Sequence, residues 1–197
     1  MLQYADLSKI VNSVIFSGYT FEADGSITAQ DGTGWKIAAG KESNYIKDVL
    51  NKAGIHTEIS ESINEIKAEK MIFNCATALS SAVENKTLGE LIETESKEKI
   101  LALAFETYEV LLRKYPLRPF DQIKKEMLTL LQKISNHRTS VSKDFNEGKL
   151  TEVKYLNGQI INWAKEFGVP VPVNEMLYKR FNEMSSKKTT ELQQRLR

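Results

Sequence analysis

The chain reads as mainly α: an all-helical domain over residues 63–197, preceded over residues 1–62 by a small β-rich segment with one helix. Three observations predict this. Apolar residues alternate at period two through most of the first 60 residues and recur at about 3.6 from Ser62 onward. Val, Ile, Phe, Tyr and Thr, which suit a pleated surface, crowd Ile10–Phe21. Turn signals fall at Asp24-Gly25 and at Asp31-Gly32-Thr33-Gly34.

Taken in order, Ile10–Phe21, then Ile27 and Ala29, then Trp35, Ile37 and Ala39 predict a three-stranded antiparallel meander. Tyr45, Ile46, Val49, Leu50 and Ala53 share a helical face that Gly54 stops, and Ile55, Thr57 and Ile59 alternate as a short strand. Ser62 with Glu65 has the spacing of a capping box, opening a helix to about Val83. A short helix follows at Leu88–Ile92, then a long one with Ser96 as N-cap that ends before Pro116. Ile123, Met127, Leu130, Leu131 and Ile134 form one face of a helix from Phe120 to Ile134. Asn146 and Gly148 interrupt the pattern of Thr139–Leu150. Val153–Phe167 reads as one amphipathic helix ending at Gly168. Val169-Pro170-Val171-Pro172 reads as an extended connector, because the residue before a proline is pushed out of the helical region. A last helix starts near Asn174 and frays into a polar tail after Ser185.

Composition narrows the function. The 27 Lys and Arg stand against 26 Asp and Glu with the signs interspersed, so no one-signed field invites nucleic acid or an acidic membrane. A single cysteine, Cys75, excludes an internal disulfide and suits a reducing compartment. His56 and His137 have no cysteine partners at zinc-binding spacing. No apolar run approaches the roughly 20 residues of a membrane span, and no secretory signal opens the chain. The expected setting is the cytoplasm.

Two constellations carry polar chemistry. Residues Met71–Leu79 are apolar nearly all round, the mark of a central helix, and Lys70 and Asn74 are four apart on one of its faces. Such a pair either faces a cleft or has a bland account, the lysine snorkelling to the surface and the asparagine bonding backbone. The second constellation runs Thr139-Ser140, Asp144, Thr151-Glu152 and Asn157-Gly158. Thr151-Glu152 alone reads as a helix start with its acid at the positive end of the dipole. Gly158, inside a helical pattern, reads as a point of close helix approach.

Together, Lys70-Met71-Ile72-Phe73-Asn74-Cys75, Ser140–Asp144, Thr151–Gly158 and Gly168-Val169-Pro170-Val171-Pro172-Val173-Asn174 resemble the C-terminal domain of the ketopantoate (2-dehydropantoate 2-) reductases. The resemblance implies the helical domain type shared with 6-phosphogluconate dehydrogenases, with residues 1–62 as the end of a Rossmann-type domain. It implies NADPH-dependent reduction of a 2-keto acid, a step of pantothenate biosynthesis. Lys70 and Glu152 would be catalytic: Lys70 serves the carbonyl oxygen, while Glu152 holds the substrate hydroxyl and helps fix Lys70. Asn74 and Ser140 would bind substrate. Ala78 and Leu88 depart from polar residues found in the family, which leaves the identity of the acid open.

No Gly-x-Gly-x-x-Gly turn occurs in these 197 residues. The resemblance places that turn upstream of Met1, so the expectation is a truncated form with no cofactor-binding residues of its own, inactive alone and weak for NADPH. No metal site and no nucleic-acid or membrane partner is expected. Severed strand edges favour a homodimer. The rival readings are a non-catalytic helical dimerisation or partner-binding module, and a related hydroxyacid dehydrogenase with another substrate.

Overall fold

The computed structural model describes residues 10–30 and 34–195, so most of the second turn signal, residues 31–33, lies outside the described residues. The chain divides into two compact units at Lys67–Ala68. The division falls a few residues beyond the change of hydrophobic period at residues 62–63.

In the first unit the order is β1 (Ser13–Ile15), β2 (Gly18–Phe21), β3 (Ile27–Gln30), β4 (Trp35–Ala38), α1 (Ser43–Lys52) and β5 (Thr57–Ser60). The expected meander does not form. Ile10–Phe21 is two strands rather than one, with Phe16 and Ser17 between them. β2 and β3 pair as a separate antiparallel hairpin, with Phe21 opposite Ile27. β4 instead lies between β1, antiparallel, and β5, parallel. Alternation is identical for either pairing, so period two shows that strands exist and not which neighbour each takes. The parallel pair needs a crossover element, and α1 supplies it. Asn51 at the end of α1 accepts from the Thr57 N–H at 2.9 Å, tying the crossover helix to β5.

The second unit is built around α2 (Ile63–Glu84), which begins in the first. Ile72, Cys75, Ala76 and Leu79 are fully buried along it, as the apolar run predicts. Around it lie α3 (Leu88–Glu93), α4 (Ser96–Leu111), α5 (Phe120–Lys133), α6 (Ser140–Asn146), a 3-10 turn (Glu152–Tyr155), α7 (Asn157–Phe167) and α8 (Pro172–Arg195). No described residue between Ser96 and Ile134 is in a strand.

Several boundaries differ from expectation for local reasons. Val153–Phe167 is not one helix: Leu156 leaves the helical region, and the chain restarts at Asn157. Pro172 opens α8, at the first helical position where its missing N–H costs nothing. α8 continues past Ser185, because Lys188 Nζ donates to the Phe145 and Asn146 carbonyls at 2.7 and 2.8 Å. These are terminal carbonyls of α6, where a cation is favoured. A capping box is present at Thr87 and Glu90. At Ser62 the backbone N–H donates to Ser60 Oγ, the bond that Glu65 was expected to take. Ser96 is the first residue of α4 rather than its cap, and its hydroxyl donates to Glu84.

Two features of this packing are open to test. Gly89 in α3 donates its N–H to the Ser135 carbonyl at 2.8 Å, and a Cβ there would lie 2.7 Å from Ser135 Cβ. Gly89→Ala is expected to destabilise the chain by about 1–3 kcal/mol, read as a lower midpoint in denaturant. The Glu84 carboxylate accepts from Lys99 at 2.6 Å, from Lys86 at 3.0 Å and from Ser96. Burial opposes its charge, but these donors outweigh burial and hold its pKa at about 2. A lowered carboxylate pKa adds stability above the ordinary range near 4.5 and loses it as pH falls toward 2. Glu84→Gln should therefore flatten the acid limb of a stability-versus-pH curve in that window.

Candidate active site

All four candidate residues belong to the second unit. Lys70 and Asn74 stand one turn apart on α2, both half-buried, and the i, i+4 spacing puts them on one face. Ser140 is the first residue of α6, whose start is set by Thr139: its hydroxyl accepts from the Ser142 N–H at 3.1 Å. Ser142 in turn donates to the Ser81 carbonyl on α2 at 3.2 Å, so α6 is pinned to the helix that carries Lys70. Glu152 opens the 3-10 turn after the α6 loop.

The fold brings elements far apart in sequence together here. Ser140 Oγ donates to Glu152 Oε1 at 3.4 Å, a long bond that either partner could exchange for a ligand. Glu152 also acts electrostatically on two α2 side chains. Burial pushes the Lys70 ammonium below its ordinary pKa, and the Glu152 carboxylate opposes that shift. The Cys75 thiol is driven up, first by complete burial and then by the same carboxylate, which leaves it an inert core group. Lys70, Ser140 and Glu152 thus share one electrostatic neighbourhood, and Asn74 extends it by one helical turn.

Two grooves, of about 850 and 320 Å³, run along α8, and neither is lined by any of these four residues. The candidate site is therefore a polar surface on α2, α6 and the 3-10 turn, with Ser140 and Glu152 exposed and Lys70 and Asn74 partly withdrawn. Among the described residues no cluster of His, Cys, Asp or Glu could hold a metal, and no helix is long and apolar enough to cross a membrane.

Sequence reasoning singled out Asn157 and Asn174 without a role for either and passed over Glu106, and these three support this surface. Asn157 donates from Nδ2 to the Cys75 carbonyl and to Asn174 Oδ1, both at 2.9 Å. Glu106 accepts from the Val173 N–H, the Asn174 N–H and Asn174 Nδ2. A lone acid amid Leu103-Ala104-Phe105-Glu106-Thr107-Tyr108 was the available signal for that network. Gly158 behaves as its helical setting suggests: a Cβ there would come within 3.0 Å of Tyr178 Oη on α8.

The electrostatic relation gives a direct measurement. Removing the Glu152 charge with Glu152→Gln should lower the Lys70 pKa further, because the carboxylate that opposes burial is gone. The readout is the 13C-methyl titration of reductively dimethylated lysines, with the Lys70 resonance assigned by its loss in Lys70→Arg.

The pattern describing the C-terminal part of the ketopantoate reductases PanE/ApbA matches residues 62–185. A 2-dehydropantoate 2-reductase of Pyrococcus abyssi is 29% identical over 188 residues, covering 86% of this chain and 58% of the relative. A ketopantoate reductase of Ralstonia eutropha superimposes with a TM-score of 0.83 at 20% identity, over 91% of this chain and 60% of that one. A D-mandelate dehydrogenase bound to NADH and anilino(oxo)acetate superimposes with a TM-score of 0.79 at 16% identity, over 94% of this chain and 63% of that one. At such identities the structural likenesses establish the fold alone. The chain spans about half the length of the curated relatives it matches. With the family pattern spanning most of its length, from just before α2 into α8, the chain belongs to the ketopantoate reductase PanE/ApbA family.

Proposed function

We propose that this chain supplies the substrate side of a 2-dehydropantoate 2-reductase-type reaction, the reduction of a 2-keto acid to a 2-hydroxy acid. The observation that carries the reading is Glu152 acting on Lys70 of α2 while accepting from Ser140 at 3.4 Å. Charge gathers on a keto oxygen as its carbon is reduced, so a cation or proton donor must stand there. Lys70 suits that role. A half-buried ammonium with a lowered pKa is a stronger acid than a solvated one, and its proton passes to the developing alkoxide to give the hydroxyl. Glu152 accepts from a substrate hydroxyl and holds Lys70 in place. Ser140 and Asn74 offer hydrogen bonds that orient the acid.

Family membership, together with a structural relative that holds NADH, points to a nicotinamide dinucleotide as reductant, and the family resemblance to NADPH. When bound, such a cofactor supplies the hydride. The residues present do not fit its diphosphate, because the ten glycines include no Gly-x-Gly-x-x-Gly turn at a helix N-terminus. Only the roles of this chain's own side chains are therefore assigned.

A titration tests the reading. Ketopantoate added to the 197-residue chain should perturb amide resonances at Lys70, Asn74, Ser140 and Glu152, and Lys70→Ala should weaken that response several-fold. NADPH alone should bind no tighter than millimolar. In any form of the protein that also holds the dinucleotide, Lys70→Ala should lower turnover by about a hundredfold to ten-thousandfold. A substrate response centred elsewhere would discard this site in favour of a non-catalytic helical module, and turnover that survives Lys70→Ala would remove Lys70 as the acid.

A further inference from the structure

We propose that Asn157 is a positioning residue: by tying the Cys75 carbonyl of α2 to the start of α7, it sets the distance between Lys70 and Glu152. The proposal rests on the site reading above and deepens it.

Lys70 and Glu152 come from elements with no covalent reason to stay in register. Lys70 rides on a long helix. Glu152 rides on a four-residue 3-10 turn that the non-helical Leu156 separates from α7. A short turn of this kind holds its place only through whatever fixes its ends. On the C-terminal side that fixture is Asn157, five residues beyond Glu152 and fully buried. Both protons of its amide are committed, one to the Cys75 carbonyl and one to Asn174 Oδ1, each at 2.9 Å. Cys75 is five residues beyond Lys70, about 7.5 Å along the helix axis. One amide therefore links a point just past the lysine on its helix to a point just past the glutamate on its turn.

The far end of the link is also held. Asn174 donates from Nδ2 to Glu106 at 2.8 Å and from its backbone N–H at 2.9 Å, so the amide chain ends on a carboxylate of α4. Gly158, next in sequence, lets α7 lie against Tyr178 of α8. The idle atom is informative too. Asn157 Oδ1 accepts no bond among the described residues, so the side chain makes its links through its two donors. Removing one partner of a buried hydrogen bond destabilises the fold whatever the bond is for. Stability alone therefore does not separate a positioning role from core filling.

The coupling between the two charges does. In the unsubstituted chain, Glu152→Gln is expected to lower the pKa of the dimethylated Lys70. In an Asn157→Ala background the same substitution should produce less than half that shift, with far-ultraviolet circular dichroism unchanged. Asn174→Ala leaves the Asn157–Cys75 bond in place and removes its anchor; it should reduce the shift in the same direction, and it stands in if Asn157→Ala does not fold. A full-sized Glu152→Gln shift in either folded variant overturns the positioning role and leaves the catalytic reading untouched. The absence of any Glu152→Gln shift in the unsubstituted chain removes the site reading, and this proposal with it.

Discussion

A carboxylate that is only 9% exposed holds the helical unit together at its least forgiving point. Glu106 projects from an otherwise apolar stretch of α4, and burying an acid is costly unless donors surround it. The start of α8 provides them: the Val173 and Asn174 N–H groups, unpaired in any helix's first turn, both point at it. Asn174 then passes the constraint to Asn157, and Asn157 to the Cys75 carbonyl. Helices α4, α8, α7 and α2 are thus linked by one polar path inside an apolar core. Leucine and isoleucine packing is tolerant of small slides. Hydrogen bonds with fixed donors and acceptors are not, so this path defines one register among many of similar apolar burial.

Ionic contacts extend the restraint to the surface. Arg118, between α4 and α5, binds Glu69 through Nε and Nη2 and Glu126 through both terminal nitrogens, at 2.6–2.9 Å. Its planar fork matches two carboxylates at once, which a lysine could not do. Glu69 precedes Lys70, so this clamp restrains α2 at the turn carrying the candidate acid. At the C-terminal end of the same helix, Glu84 gathers Lys86, Lys99 and Ser96. α2 is thereby held by ion pairs in its second turn and at its last residue, and by the Asn157 bond near its middle. A helix bearing a half-buried ammonium benefits from such fixing, because the ammonium's acidity depends on its depth and on its distance from Glu152.

Much of this was legible from the residues in order. The apolar run around Cys75 marked the central helix, the spacing of Lys70 and Asn74 placed them on one face, and Gly168 marked the end of α7, where it takes φ of 67°. The misreadings share one cause. The meander, the single helix over Val153–Phe167 and the fraying tail after Ser185 all follow from local pattern alone. Each was decided by a partner distant in the chain: β5 beside β4, the Cys75 carbonyl for Asn157, and the end of α6 for Lys188.

The sequence by itself determined which residues are apolar and at what period, and hence where helices and strands lie. It also carried the motif that places the chain in its family. Local propensity and periodicity are properties of neighbouring residues, so they survive without a fold. The tertiary structure alone decided which strands pair, where α7 begins, and that Ser140, Glu152 and Lys70 share one electrostatic neighbourhood across some eighty residues. Those outcomes depend on desolvation and hydrogen-bond geometry between groups that only the packed chain brings into contact, and no spacing rule along the sequence encodes them.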